Sequence, residues 1–304
     1  MKSEIAICII TYNRLEKLKL CIESIVKQKT NFKYDIIIVD NDSESSIKKP
    51  VQEISAEKKV NIKYYIENKK GIPFARNKCV EVTKNNYEYL IFIDDDEEAS
   101  DNWLNSLVRS IKEFNCDVVI GPVLSQFNHK TYKSINVREF FNRKRYDSGF
   151  IMKNGRTGNM IAYTELFKKY NQPFEVRFNK MGGSDSHFFR KIYKDGFITK
   201  WNDEAIVKEI VPAQRTKISW IIKRMMRVGA SNAFSDILDK NYKKISIKNI
   251  SSIINFLINT TLAPIALIIE IISNKPIFIR HISKIFKNVG YFFGTIRIKI
   301  DDYK

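Results

Sequence analysis

The chain has 304 residues, a formal net charge of +18 and four cysteines. That length supplies the core of one large α/β domain plus an appendage, and Cys8, Cys21, Cys79 and Cys116 show neither the density of a disulfide framework nor Cys-x-x-Cys zinc spacing. The apolar run 5–10 is too short for a signal-peptide core and leads straight into polar Thr11-Tyr12-Asn13-Arg14, so a reducing cytosol is the expected home.

In chain order, runs rich in Ile and Val predict strands over 5–10, 34–39, Ile62–Ile66, Tyr89–Ile93 and Val118–Ile120. Most lack two-residue alternation, as strands covered on both faces do. Helical stripes lie between them. Leu15, Leu18, Ile22, Ile25 and Val26 share one face, Pro73 suits the first turn of a second helix, and Trp103, Leu107 and Ile111 mark a third. This alternation predicts an α/β fold with a doubly wound, mostly parallel sheet flanked by helices, its crossovers right-handed. Residues 126–156 are polar and basic without a clear period and read as an insertion or mobile loop.

At 89–98 the apolar run ends in Asp94, Asp95 and Asp96. A buried parallel strand delivers such residues to its carboxyl end, where open α/β sheets bind ligands. Neighbouring carboxylates repel unless a cation compensates them, and Mg2+ or Mn2+ held by one or two carboxylates completes its shell with water and substrate phosphates. The cluster therefore points to a metal-bridged diphosphate. The plainer alternative is a solvated acidic loop leading into a helix capped by Asp101, which leaves the packed like charges uncompensated.

Earlier strand ends converge on the same edge. Thr11, Tyr12, Asn13 and Arg14 offer a hydroxyl, a ring, an amide and a guanidinium for a base and its phosphates. Asp40-Asn41-Asp42-Ser43 offers a carboxylate able to accept from a pyrimidine N–H, or an Asx turn. Gly71 with Arg76 and Asn77 adds a turn and a cation at a helix start.

From Ala205 onward, 17 Lys and Arg stand against 6 Asp and Glu, so this third of the chain carries well over half of the excess charge. Its segment 253–272 approaches bilayer-spanning length but contains Asn255, Asn259, Thr260, Thr261, Pro264 and Glu270, which is untidy for a span. Beyond it, Phe278, Ile282, Ile285, Val289 and Phe292 recur in steps of four and three with Arg280, Lys284 and Lys287 between them, a basic amphipathic helix. Both pieces fit shallow attachment to an anionic membrane surface or the packing of a helical subdomain. Trp220, Lys223, Arg224 and Arg227 form another basic helix, suited to diphosphate or lipid headgroups or to a solvated face. No nucleic-acid module is recognisable.

The ordered set Thr11-Tyr12-Asn13-Arg14, Val39-Asp40-Asn41-Asp42-Ser43, the GIPFARN run from Gly71, Asp94-Asp95-Asp96, Gly158-Asn159, Gly182-Gly183-Ser184-Asp185 and the stretch from Trp201 to Gly229 resembles the inverting glycosyltransferases of family 2, which have the GT-A fold. The resemblance implies a nucleotide-sugar donor, UDP by default, and Mg2+ or Mn2+. Matched position by position, it implies that Thr11, Tyr12 and Asp40 face the base and ribose and that Arg76 lies near the base or diphosphate. Asn13, Arg14, Asp42, Gly71, Asn77 and Asp95 complete the donor site. Asp94 and Asp96 match the outer positions of the D-x-D metal motif, with Asp96 the direct ligand, and His187 is a further metal or acceptor contact or a plain helix-surface histidine. Asp185 matches the catalytic aspartate, and Gly182, Gly183, Ser184, Glu209 and Arg215 fall on the acceptor side. Many relatives carry Glu-Asp at 184–185 and a second acid in the strand-two turn, where this chain has Ser184 and Asn41.

Chemistry makes the role of Asp185 intelligible by itself. Displacement at an anomeric carbon needs a proton acceptor beside the incoming hydroxyl and charge neutralisation on the departing diphosphate, and a helix N-terminus keeps a carboxylate ionised. The expected organisation is a GT-A domain over 1–230, with a donor half at 1–125 and an acceptor half at 126–230, then a basic, apolar helical extension over 231–304. The expected function is metal-dependent, inverting sugar transfer to a saccharide or lipid-linked saccharide at the cytoplasmic face of the membrane, in surface polysaccharide or glycolipid assembly. The alternatives are a nucleotidyltransferase and a non-catalytic membrane- or polyanion-binding protein that keeps a degenerate transferase domain.

Overall fold

The computed structural model describes residues 3–44, 47–127, 138, 140–240, 242–273, 277–298 and 300. Its strands are β1 (Ile5–Thr11), β2 (Tyr34–Asp40), β3 (Ile62–Ile66), β4 (Tyr89–Ile93), β5 (Glu97–Ala99), β6 (Val118–Ile120), β7 (Val123–Gln126), β8 (Ile151–Met152), β9 (Asn159–Tyr163), β10 (Thr199–Trp201) and β11 (Val207–Ile210). Its α-helices are α1 (Leu15–Val26), α2 (Lys48–Lys58), α3 (Ile72–Thr83), α4 (Trp103–Glu113), α5 (Thr164–Lys168), α6 (Ser184–Lys194), α7 (Ile218–Leu238), α8 (Tyr242–Ser273) and α9 (Phe278–Thr295). Two compact units divide the chain: Met1–Leu124, Arg143–Arg177 and Ser184–Glu209 make the first, and Ser125–Asn142, Phe178–Gly183 and Ile210–Lys304 the second. The joint expected at 230/231 falls inside α7, which runs through it unbroken.

In the first unit eight strands follow the order β3-β2-β1-β4-β9-β6-β10-β8. β3, β2, β1 and β4 are mutually parallel, β10 is parallel to β6, and β9 enters antiparallel between β4 and β6. Alternate residues feed two cores. Ile5, Ile7, Ile9, Ile36, Ile38, Tyr89, Ile91 and Ile93 pack on one face under α1, α2 and α4. Ala6, Cys8, Ile37, Val39, Leu90 and Phe92 pack on the other under α3, α5 and α6. Cover on both faces is why these strands read as continuous apolar runs rather than alternating ones. Each fully buried Ile is worth about 2 kcal/mol of transfer free energy, so the sheet is a rigid platform for whatever its loops carry.

The predicted strands match to within a residue, and the predicted helices at Leu15, Pro73 and Trp103 are present. α2 is the helix that the sequence hid. Its segment KKPVQEISAEK sinks only Val51 and Ile54, too narrow a stripe to stand out among its charges. α4 starts after Asn102 rather than Asp101, and no side chain caps it. Of the expected insertion at 126–156, residues 128–137 and 139 lie outside the described residues, while β8 is the antiparallel edge strand beside β10.

The second unit is helical. Gly290 and Gly294 of α9 meet α7 backbone to backbone: a Cβ on Gly290 would collide with the Met226 carbonyl, and one on Gly294 would stand 2.6 Å from the Ala230 carbonyl oxygen. Asp236 of α7, wholly buried, takes Lys244 at 3.0 Å and Lys248 at 2.7 Å from α8 and the Tyr291 hydroxyl of α9 at 3.0 Å. One buried carboxylate thus ties three helices together, its charge matched by two ammonium groups.

Candidate active site

β1 pairs with β2 on one side and β4 on the other, so the crevice at their carboxyl ends is the switch point of the sheet. Thr11 closes β1 and donates its hydroxyl to Asp95 Oδ2 at 2.8 Å, joining the two lips. Arg14, just before α1, reaches Asp95 at 3.2 Å and Asp96 at 3.6 Å, and Lys17 on the first turns of α1 reaches Asp96 at 3.3 Å. Asp94 pairs with Arg76 of α3 at 3.5 Å and keeps a side chain 40 % exposed.

Glu97 joins this turn as a fourth acid. It is buried, and its Oε2 accepts the Asp94 backbone N–H at 3.1 Å. The nearby cations do not offset burial at Asp94, Asp95 or Glu97. Burial pushes Asp95 up to about 6 despite Arg14, with Asp96 and Asp94 adding to the rise. Burial and then Asp94 push Glu97 well above the ordinary carboxylate value. For Asp94 burial again leads, opposed by Arg76 and reinforced by Asp96, Asp185 and Glu209. Desolvation and like charge are the two forces that a ligand cation relieves.

Asp185 is the acid of α6 whose charge acts on Asp94. It stands in the first turn of that helix, where its Oδ1 accepts the Ser186 backbone N–H at 2.8 Å. Glu209 on β11 lies opposite Glu97 on β5 in antiparallel register and is paired to Arg143 at 2.9 Å. Arg156 has no hydrogen-bond or ion-pair partner among the described residues. Burial and then Arg143 lower its pKa, against the pull of Asp185, Glu209 and Glu97. Gly158 follows at close range: a Cβ there would lie 2.8 Å from Glu97 Oε1 and 3.0 Å from Asp94 Oδ2, so only glycine leaves those oxygens uncovered. Asn159 is structural, accepting from Trp103 Nε1 at 2.8 Å and donating to the Pro122 and Ala205 carbonyls.

The other predicted donor residues divide by position. Asp40 is fully buried at the end of β2, accepts from the Tyr64 hydroxyl and from the Asp42 N–H, and has its pKa raised by burial. Asp42 itself accepts the Glu44 N–H at 3.2 Å. Tyr12 is 39 % exposed, with Lys70 bonded to its hydroxyl at 2.6 Å, and Asn13 takes a left-handed φ of 52° beside it. Asn41, seen in the sequence only as a departure, holds the facing loop: it donates to the Glu67 and Lys69 carbonyls and accepts the Gly71 N–H at 2.6 Å. Gly71 has φ 141°, a backbone state that L side chains rarely adopt.

Asn77 does not face the crevice through its amide, which exchanges two hydrogen bonds with the Phe174 backbone at 2.8 and 3.0 Å. His187 is buried on α6, and its charge registers at Glu175. Ser184 is buried at the start of that helix. Gly182, Gly183 and Arg215 belong to the second unit. There the two glycines adopt φ 73° and 96°, Ser231 donates to the Gly182 carbonyl at 2.7 Å, and Arg215 lies 5.9 Å from the Trp220 ring centre.

The model of the family described as glycosyl transferase family 2 matches residues 6–171, more than half of the chain. The chain belongs to glycosyl transferase family 2. It is 27 % identical over 197 residues to the succinoglycan biosynthesis protein ExoM of Rhizobium meliloti, an alignment that takes in 65 % of this chain and 63 % of that protein. It is 23 % identical to the glycosyltransferase AglE of Haloferax volcanii, over 78 % of this chain and 75 % of that one. Among solved structures, the mannosyltransferase PcManGT of Pyrobaculum calidifontis, in complex with GDP-Man and Mn2+, superposes with a TM-score of 0.57 at 15 % identity, over 79 % of this chain and 65 % of that chain. The fold is GT-A.

The acid turn of this family-2 chain suits a divalent ion shared with a substrate. Among the described residues no three His, Cys, Asp or Glu side chains form a closed cage. An ion that keeps substrate oxygens in its shell needs only one or two carboxylates, and the open Asp94 side chain with glycine beside it leaves room for them.

Proposed function

We propose that this protein transfers a sugar, with inversion, from a nucleotide-sugar, UDP-linked by preference, to a hydroxyl of a saccharide or lipid-linked saccharide. The assembly of surface polysaccharide or glycolipid at the cytoplasmic membrane face is its setting. The observation that carries this reading is the group Asp94, Asp95 and Glu97 at the switch point, each raised by burial beside Asp96, with the charge of Asp185 adding to the rise at Asp94. The names of relatives point the same way, a succinoglycan biosynthesis protein and the chondroitin synthase of Escherichia coli among them.

In this reading the base and ribose sit between Tyr12 and the Asp40-Asn41 turn, and Arg76 and Arg14 face the diphosphate. Asp185 accepts the proton of the acceptor hydroxyl as that oxygen bonds to the anomeric carbon. The bond from that carbon to the diphosphate oxygen breaks, and a nucleoside diphosphate leaves with the electron pair. Mg2+ or Mn2+ held by Asp96 and Asp94 would neutralise the charge on that leaving group. Arg14 and Lys17, which pair with Asp96, would add positive charge beside that leaving group.

Screening nucleotide-sugars for metal-dependent release of a nucleoside diphosphate tests the reading. Release with transfer to a saccharide supports it. Pyrophosphate as the product selects a nucleotidyltransferase instead, and no turnover with any donor and either metal leaves a non-catalytic protein.

A further inference from the structure

α8 is built inside out. Asn259, Ala263 and Ala266 are its buried residues, one narrow stripe of small or polar side chains. Its bulky apolar residues face outward instead: Ile254, Leu257, Ile258, Ile265, Ile268 and Ile272 are between 47 % and 80 % exposed. Water selects the opposite arrangement in a soluble helical unit. The contact of α7 with α9 has the same character at Gly290 and Gly294, which let the two backbones touch. Small residues inside and large apolar residues outside are the packing rule for helices in lipid.

We propose that α8 and α9 form a hairpin that dips into one leaflet of an anionic bilayer without crossing it. This rests on the membrane setting proposed above and goes further by fixing the mode of attachment. Length permits a span: residues 249–269 carry no charge, and 21 helical residues extend about 31 Å, the thickness of the hydrocarbon layer. The partner helix forbids it. Asn259, at the middle of that stretch, is bonded to His281 of α9 at 2.8 Å, with Arg280 and Lys284 exposed beside it. A crossing α8 would hold these groups near the bilayer centre, where polar and ionisable side chains are most costly. In a leaflet-deep hairpin the large residues of α8 reach the acyl chains while Arg280, Lys284 and Lys243 stay at the headgroups, and their positive charge selects anionic lipid.

The four native cysteines are buried, so a single Ser273→Cys at the exposed end of α8 reports its side of the membrane. The full chain carrying it is made in a bacterial host and labelled with an impermeant maleimide, in inside-out vesicles and in intact spheroplasts. Labelling in inside-out vesicles with protection in spheroplasts is expected. Labelling in spheroplasts overturns the one-leaflet hairpin while leaving membrane attachment standing. In flotation with phosphatidylglycerol vesicles, Arg280→Gln and Lys284→Gln should each weaken binding about fivefold. A full chain that fails to float and runs as a discrete dimer without lipid overturns the membrane setting itself, with no bearing on sugar transfer.

Discussion

Two acidic sites stand at opposite ends of the same parallel sheet, and they differ in what surrounds them. At the amino end, Asp35 of β2 accepts from Ser3, Asn61 and Tyr87 at 2.8, 2.9 and 2.6 Å and pairs with Lys63 at 2.9 Å. Burial alone would raise its pKa, but the hydrogen bonds led by Tyr87 and Lys63 outweigh that and hold it down at about 2. At the carboxyl end, four acids crowd into one turn and burial wins, leaving Asp95 at about 6. The protein completes the first site with its own donors. At the second its own donors leave burial uncompensated, which is the condition that a bound cation relieves.

The sharpest way to break this contrast is to neutralise one acid at each end. Asp185→Asn should lower turnover by about 10²–10⁴-fold, the usual contribution of a general base, with a melting temperature like that of the native chain. A stable variant that retains turnover removes Asp185 from the chemistry. Asp35→Ala, by contrast, should leave the chemistry intact and destabilise the fold by roughly 1–3 kcal/mol, since Ser3, Asn61 and Tyr87 lose their acceptor. Urea titration measures it.

The pH dependences should run in opposite directions. The pKa of Asp35 is depressed on folding, so its stabilisation, roughly 2 kcal/mol, is complete above the unfolded value near 4 and is lost as pH falls toward 2. The pKa of Asp95 is raised, so between about 6 and 4 the folded state binds the extra proton and stability rises as pH falls. Asp95→Asn should therefore raise the melting temperature at pH 8 by a few degrees, about 1–2 kcal/mol, and the gain should vanish below about pH 4. A variant less stable than the native chain at pH 8 contradicts the assignment of Asp95 as under-compensated.

The parallel half of the fold was legible because β1, β2 and β4 are covered on both faces and announce themselves as apolar runs. The other half was not. β8, β10 and β11 have two to four residues each, too few for any period, and β9 is a strand only because β4 and β6 flank it. The acid turn was legible as an abrupt change of polarity, whereas Asp185 stood out only through its resemblance to a family motif. Asn41 and Glu97 carried no local signal, since each acts through partners distant in the chain: Asn41 through Glu67, Lys69 and Gly71, Glu97 through Glu209 across a strand pair; Arg156 carried none because only its burial singles it out. Gly158 was quoted as part of a motif, but its closeness to the Asp94 and Glu97 carboxylates appears only in three dimensions.

Calorimetric titration of a UDP-sugar with Mn2+ into the native chain, Asp96→Asn and Asp185→Asn separates the metal site from the base most directly. The expected result is metal-dependent donor binding by the native chain and by Asp185→Asn, with at least tenfold weaker binding by Asp96→Asn. Equal, metal-independent binding by all three proteins would contradict a donor held through an ion at the acid turn.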